Sequence, residues 1–186
     1  MLVQNLEVVK TEKFQYIKIY KNACTSMFNI IEENYDYTME INAVPDRVTF
    51  TTIREPYERF VSGLHYDYGR HKPDLDKINI KDLFFDIHPL HNWKKGDLNH
   101  TTSQIFYTFN NMINWFIDIK DLCHFQKMHF NNTRYNNVTE HRHKEVDDFI
   151  RDNKKEILMY LGHDYHFYKS IHNSPLLWTW QKGKIF

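Results

Sequence analysis

Positions 14–28 read FQYIKIYKNACTSMF, and this stretch constrains the fold more than any other. Phe14, Tyr16, Ile17, Ile19 and Tyr20 make an apolar, aromatic and β-branched run of the kind that builds a buried strand. The run stops at Lys21 and Asn22. Small and hydroxyl residues follow, and then Met27, Phe28, Ile30 and Ile31 recur at helical spacing. A strand that breaks into a tight loop and opens a helix leaves backbone N–H groups unpaired at the helix start. The helix dipole adds positive potential there, so the place attracts anions. Lys21 brings a mobile cation to its lip, and Thr25 and Ser26 can cap the helix or donate to an oxyanion. Lys21, Asn22, Ala23, Cys24, Thr25 and Ser26 are therefore the candidate lining of a phosphate or sulfate cradle. The glycine spacing of an ordinary NTPase loop, G-x-x-x-x-G-K-[ST], is absent.

The rest of the composition places this cradle in a folded, single-domain chain spanning 1–186. Hydrophobic residues make up 41% of the chain, against only five glycines and five prolines, which excludes a disordered polymer. Basic and acidic residues balance at 24 each, so no global field points to nucleic acid or to a membrane, and any anion site must be local. The N-terminal segment carries Glu7 and lacks the apolar core of a signal peptide, and no run reaches transmembrane length. Cys24 and Cys123 are too few for a disulfide framework. A soluble, cytoplasmic protein without a membrane partner is expected. The bias towards Asn, Lys, Ile, Tyr and Phe suits an AT-rich bacterial or phage genome.

Periodicity predicts a short edge strand over 3–9, a strand over 14–20, a helix to about residue 34, a short strand over 35–41 and a buried strand over 47–53. Pro45-Asp46 marks a turn. Pro56 fits the first turn of a helix running to 65. Further helices are expected near 80–87, over 103–112, over 121–130 and over 145–160, with a strand over 115–119. The segment 131–138 reads as an exposed loop, and the aromatic tail is expected to fold back on the body. The order of elements predicts an α/β fold, P-loop-like, in three layers with a central parallel sheet between helices.

A second stretch, FTTIREPYERFVSGL at 50–64, repeats the strand–loop–helix logic. Arg54 stands at a strand end, where open α/β sheets bind ligands, and Ser62 follows after about two helical turns. Together they can hold one phosphate, the guanidinium as a fork and the hydroxyl as a donor. Arg59 is a further cation, read as a surface partner for Glu55 or Glu58. The two stretches in combination resemble the PAPS-dependent sulfotransferases, and most of all their Golgi carbohydrate branch, with its K-x-A-C-T loop and R-[ED]-P-[YF]-x-R-[FL]-[VL]-S segment. The resemblance covers about 30 residues and implies the sulfotransferase fold, PAPS as donor, and a glycan or small-molecule hydroxyl as acceptor. It further implies that Lys21, Cys24, Thr25 and Ser26 face the 5′-phosphosulfate while Arg54 and Ser62 hold the 3′-phosphate. Lys21 would also meet the charge on the leaving oxygen.

Such a transfer needs a base near the acceptor. The resemblance places it near the end of the strand after the first helix, where Glu40 is the first candidate and Asp36 the next. His65 and then His100 follow as alternatives. The twelve histidines invite a metal reading, yet no spacing matches a zinc site, and none is expected. Two other readings of the same residues stay open: a nucleotide-dependent phosphotransferase, and a non-catalytic module that keeps the nucleotide site.

Overall fold

The computed structural model describes residues 7–41, 43–84, 100–101, 103–108, 111–134 and 142–186. Five strands form one sheet: β1 (Val8–Lys10), β2 (Phe14–Ile17), β3 (Thr38–Glu40), β4 (Val48–Ile53) and β5 (Trp115–Asp118), in the spatial order β3-β1-β2-β4-β5. β2, β4 and β5 run parallel, with Ile17 opposite Thr51 and Ile53 opposite Asp118. β1 is antiparallel to both of its neighbours, so the sheet is mixed rather than wholly parallel. The cause is local. Thr11 folds the chain back within three residues, its Oγ1 accepting from the N–H groups of Lys13 and Phe14, and no crossover helix fits in so short a connection.

Helices cover both faces. α1 (Cys24–Asn34) and α4 (Leu122–Phe130) pack on one, where Phe14, Tyr16 and Phe50 meet Met27, Ile30, Ile31 and Phe125. Alternation sends Ile17 to the other face with Val8 and Tyr107 of α3 (Gln104–Thr108). Ile53 and Phe116 join Ile171 of α7 (Gly162–His172) on that side. α2 (Pro56–His71), α5 (Lys144–Asp152) and α6 (Lys154–Tyr160) share a further apolar cluster built on Phe60, Leu64, Val146, Ile150 and Ile157. The molecule is thus a three-layer α/β fold.

Several boundaries differ from the periodicity. α2 runs six residues past 65 and stops where Lys72 takes left-handed backbone and donates its N–H to the Tyr68 carbonyl at 2.8 Å. The expected helix over 145–160 divides at Asn153, whose Nδ2 bonds the Phe149 carbonyl at 2.9 Å. The helix expected near 80–87 is a 3-10 turn, Ile80–Leu83, as far as the described residues go. Helix α3 is likewise shorter than the expected 103–112, of which 109 and 110 lie outside the described residues. The tail does return: Trp178 is buried, and backbone bonds join Phe116 to Leu176 and Trp178 at 2.9 and 2.8 Å. Phe186 packs on Phe14, and His129 Nε2 accepts from the Ile185 N–H at 3.0 Å. Among the described residues, no helix is long and apolar enough to cross a membrane.

Candidate functional site

The loop between β2 and α1 is strained and held from behind. Lys21 and Ala23 both take left-handed backbone, with φ of 64° and 57°. For residues with a Cβ this costs on the order of 1–2 kcal/mol each. The surroundings fix it by engaging each carbonyl in turn. Tyr20 O accepts from Arg59 Nε at 3.0 Å, Lys21 O from Arg54 Nη1 at 3.4 Å, and Asn22 O from Thr52 Oγ1 at 2.5 Å. A trans peptide sets its N–H opposite its C=O, so tying the Asn22 carbonyl back to Thr52 of β4 turns the Ala23 N–H away from that strand. Ala23 is the N-cap residue and offers no side-chain acceptor to the N–H groups of the helix start. Among the described residues, no N-cap side chain bonds the start of α1, and a helix N-terminus of this kind favours an anion.

Asn22 is the keystone. It is fully buried, and its Nδ2 donates to Thr52 O at 2.9 Å and to Gln104 Oε1 at 2.6 Å. Gln104 in turn grips Arg54 as a neighbouring strand would, accepting from its N–H at 3.1 Å and donating to its carbonyl at 2.8 Å. Asp164 of α7 fixes Gln104 by accepting from its backbone N–H at 3.2 Å. One buried amide network therefore joins the first stretch, the second stretch and α3.

The two stretches meet because β2 and β4 are adjacent and parallel, so both loops leave the sheet at one edge. Lys21, Arg54 and Arg59 converge there. Arg59 is not a surface ion-pair partner, as its sequence position suggested; only 1% of it is exposed, and its guanidinium lies 5.6 Å from the Tyr107 ring centre. Arg54 Nε and Arg59 Nη2 are buried without a hydrogen bond among the described residues. The Glu58 carboxylate stands 3.6 Å from Arg54 Nε. Burial holds the Lys21 amine below the ordinary lysine value; Cys24 and Asp67 oppose this shift, while Arg54 and Arg59 add to it. Buried donors that lack acceptors, set around an open helix start, are what a polyanionic ligand satisfies.

The remaining candidates divide. Ser62 is buried in α2, and its spacing of three from Arg59 and four from Tyr66 puts it on their helix face, towards the cradle. Ser26 is buried, Thr25 is exposed, and Cys24 is a free, partly exposed thiol at the first helical position. Glu40 ends β3 level with Ile17, through Val8, but two strands away from β2. It is exposed and lines a cleft of about 590 Å³ with Lys10, Lys13, Tyr35, Tyr37 and Arg47, none of them a cradle residue. Asp36, the reserve candidate, lines the same cleft. The structure does not bring His65 to the cradle. It turns to α5, where Nε2 meets Asp147 Oδ1 at 3.2 Å and Nδ1 accepts from the His143 N–H at 3.2 Å. With both ring nitrogens engaged, it has no lone pair to offer a substrate. Among the described residues, no group of three His, Cys, Asp or Glu side chains could hold a metal ion; His141 lies outside them.

His65 does carry a pH dependence. Burial pushes its imidazole, and that of His129, below the ordinary histidine value, against the opposing pull of Asp147 on His65 and of the Phe125 carbonyl on His129. The unfolded chain takes up protons first, near the ordinary value of about 6.5. Stability is full above that value and is lost as pH falls below it towards the lower native value. The melting temperature is expected to drop between about pH 7.5 and about pH 5.5, and to drop less in a His65→Gln, His129→Gln double variant. Equal slopes for the two proteins would remove these rings from the account.

Compared with protein-family models, with curated proteins and with solved structures, the chain matches none.

Proposed function

We propose that this chain is a PAPS-dependent sulfotransferase with a sulfotransferase-type fold, transferring a sulfuryl group to a hydroxyl of a glycan or small molecule. The observation that carries this reading is the hydrogen bond from Arg54 Nη1 to the Lys21 carbonyl at 3.4 Å. It joins the end of the first stretch to the end of the second, with three cationic side chains, Lys21, Arg54 and Arg59, at that edge of the sheet. Two adjacent cationic stretches suit a nucleotide with phosphate groups at two positions. The buried donors of Arg54 and Arg59 fit a ligand of high negative charge.

The donor supplies a sulfuryl group on a phosphate leaving group. The N–H groups at the start of α1, with Thr25 and Ser26, would hold its 5′ end, and Arg54 and Ser62 its 3′-phosphate. Lys21 would meet the charge that develops on the bridging oxygen. Its burial strengthens that interaction, because the local dielectric is low. Arg59 is a positioning residue, since its Nε holds the Tyr20 carbonyl and so fixes the loop that carries Lys21.

Arg54→Ala is expected to weaken binding of adenosine 3′,5′-bisphosphate by roughly 10- to 150-fold, the value of a charge-assisted contact of about 1.5–3 kcal/mol. Titration calorimetry measures this directly. Unchanged affinity would take Arg54 out of the site.

A further inference from the structure

On the sulfuryl-transfer reading, the transfer requires a base, and neither Glu40 nor His65 reaches the cradle. The face of α2 that looks towards the loop carries Gly63, Tyr66 and Asp67, at spacings of three and four. All three serve one residue. A Cβ on Gly63 would lie 2.5 Å from the His100 carbonyl oxygen, so only glycine lets the two backbones approach this closely. The Tyr66 ring meets the His100 ring edge-on at 4.5 Å. Asp67 is fully buried, and its Oδ1 lies 2.5 Å from His100 Nδ1. Tyr20 covers the imidazole from the loop side at 5.2 Å. The Lys21 amine sits 4.2 Å from the centre of the same Tyr66 ring, which brings the imidazole and the leaving-group cation around one aromatic plate.

We propose that His100 is the general base of the reaction, with Asp67 as the residue that orients it. A buried carboxylate accepts from Nδ1–H, which leaves the lone pair on Nε2. Nε2 takes the proton of the acceptor hydroxyl while that oxygen bonds to sulfur. The bond from sulfur to the bridging oxygen breaks, and its electron pair leaves with the nucleoside bisphosphate, whose new charge Lys21 meets. Asp67 stabilises the imidazolium that results, and a desolvated carboxylate with that task is strongly placed to do so. Among the described residues, the charged and titratable groups around the ring include Asp67 and Tyr66 of α2, with Arg70 across the Tyr66 ring at 4.5 Å, and Tyr20 and Lys21 of the loop.

The test uses the full chain. Long-range ¹H–¹⁵N spectra of the histidine rings are expected to show His100 with the proton on Nδ1, and Asp67→Asn is expected to disturb that tautomer; the opposite tautomer in the unaltered protein overturns the proposal. With PAPS and a panel of hydroxyl acceptors, water included, His100→Gln is expected to lower sulfate transfer about 100-fold or more and to abolish the acid limb of its pH profile. Its thermal stabilisation by adenosine 3′,5′-bisphosphate should match that of the unaltered chain. Full transfer by His100→Gln overturns the base and leaves the donor site standing. So does a chain that binds the bisphosphate and transfers sulfate to no acceptor. A chain that the bisphosphate does not stabilise overturns the sulfuryl-transfer reading itself, and the base with it.

Discussion

Lys21→Ala is expected to lower sulfate transfer by about 100- to 1,000-fold while leaving the melting temperature close to that of the unaltered chain. The size follows from losing one preorganised charge at the atom where negative charge develops, a loss worth roughly 3–4 kcal/mol of transition-state stabilisation. The stability half follows from the backbone. Lys21 already stands at φ 64°, a conformation that costs alanine as much as lysine, so the substitution adds no new strain. What holds the loop is the Lys21 carbonyl with Arg54, the Tyr20 carbonyl with Arg59, and Asn22, none of which involves the amine. Transfer assays with the donor saturating separate the two halves. A variant that keeps its transfer rate would show that the lysine is only a binding charge, and one that unfolds would show that its packing on Tyr66 is structural.

The second large effect is on stability. Asn22→Ala strips the partners from Thr52 O and from one lone pair of Gln104 Oε1, both buried. Orphaned buried acceptors cost about 1–3 kcal/mol each, so a loss of about 3 kcal/mol is expected. For a domain of this size that is a fall of roughly 6–12 °C in melting temperature. Asn132→Ala, on an exposed turn, should move it by about 1 °C or less. Equal, small shifts in both variants would mean that the loop is braced elsewhere.

These two residues also show what the sequence revealed and what it hid. The strand, loop and helix around Lys21 were legible, because a β-branched and aromatic run passing into helical spacing is a local signal. The same holds for Arg54, which stands directly behind a buried strand and ahead of a helix-starting proline. Arg59 was misread. Flanked by Glu55 and Glu58, it looks like a solvated ion-pair partner, yet α2 turns it inward to the Tyr20 carbonyl. Nothing in the spacing of one chain marks the pairing of Asn22 with Gln104, 82 positions apart, or of Asp67 with His100, 33 apart. Those contacts exist only once α2 and α3 are docked.

Helix α7 escaped periodicity for a related reason. Its buried residues are Asp164 and Ile171, so its docking rests partly on a carboxylate bound to the start of α3 rather than on an apolar stripe. The antiparallel β1 was recoverable in principle, since Thr11 before Lys13 and Phe14 can form the hydroxyl-to-amide turn that it does form. So short a return carries no helical segment, the signal that marks a parallel pair.

On the sulfuryl-transfer reading, the loop at Lys21 and the strand end at Arg54 grip one doubly phosphorylated nucleotide. Thermal unfolding with adenosine 3′,5′-bisphosphate, set beside ATP with Mg²⁺ and beside AMP, tests it most directly. At about 100 times the dissociation constant the bisphosphate should add about 2.7 kcal/mol, a rise of roughly 5–10 °C, with little response to the other two. No rise with the bisphosphate, or an equal rise with ATP and Mg²⁺, would contradict it.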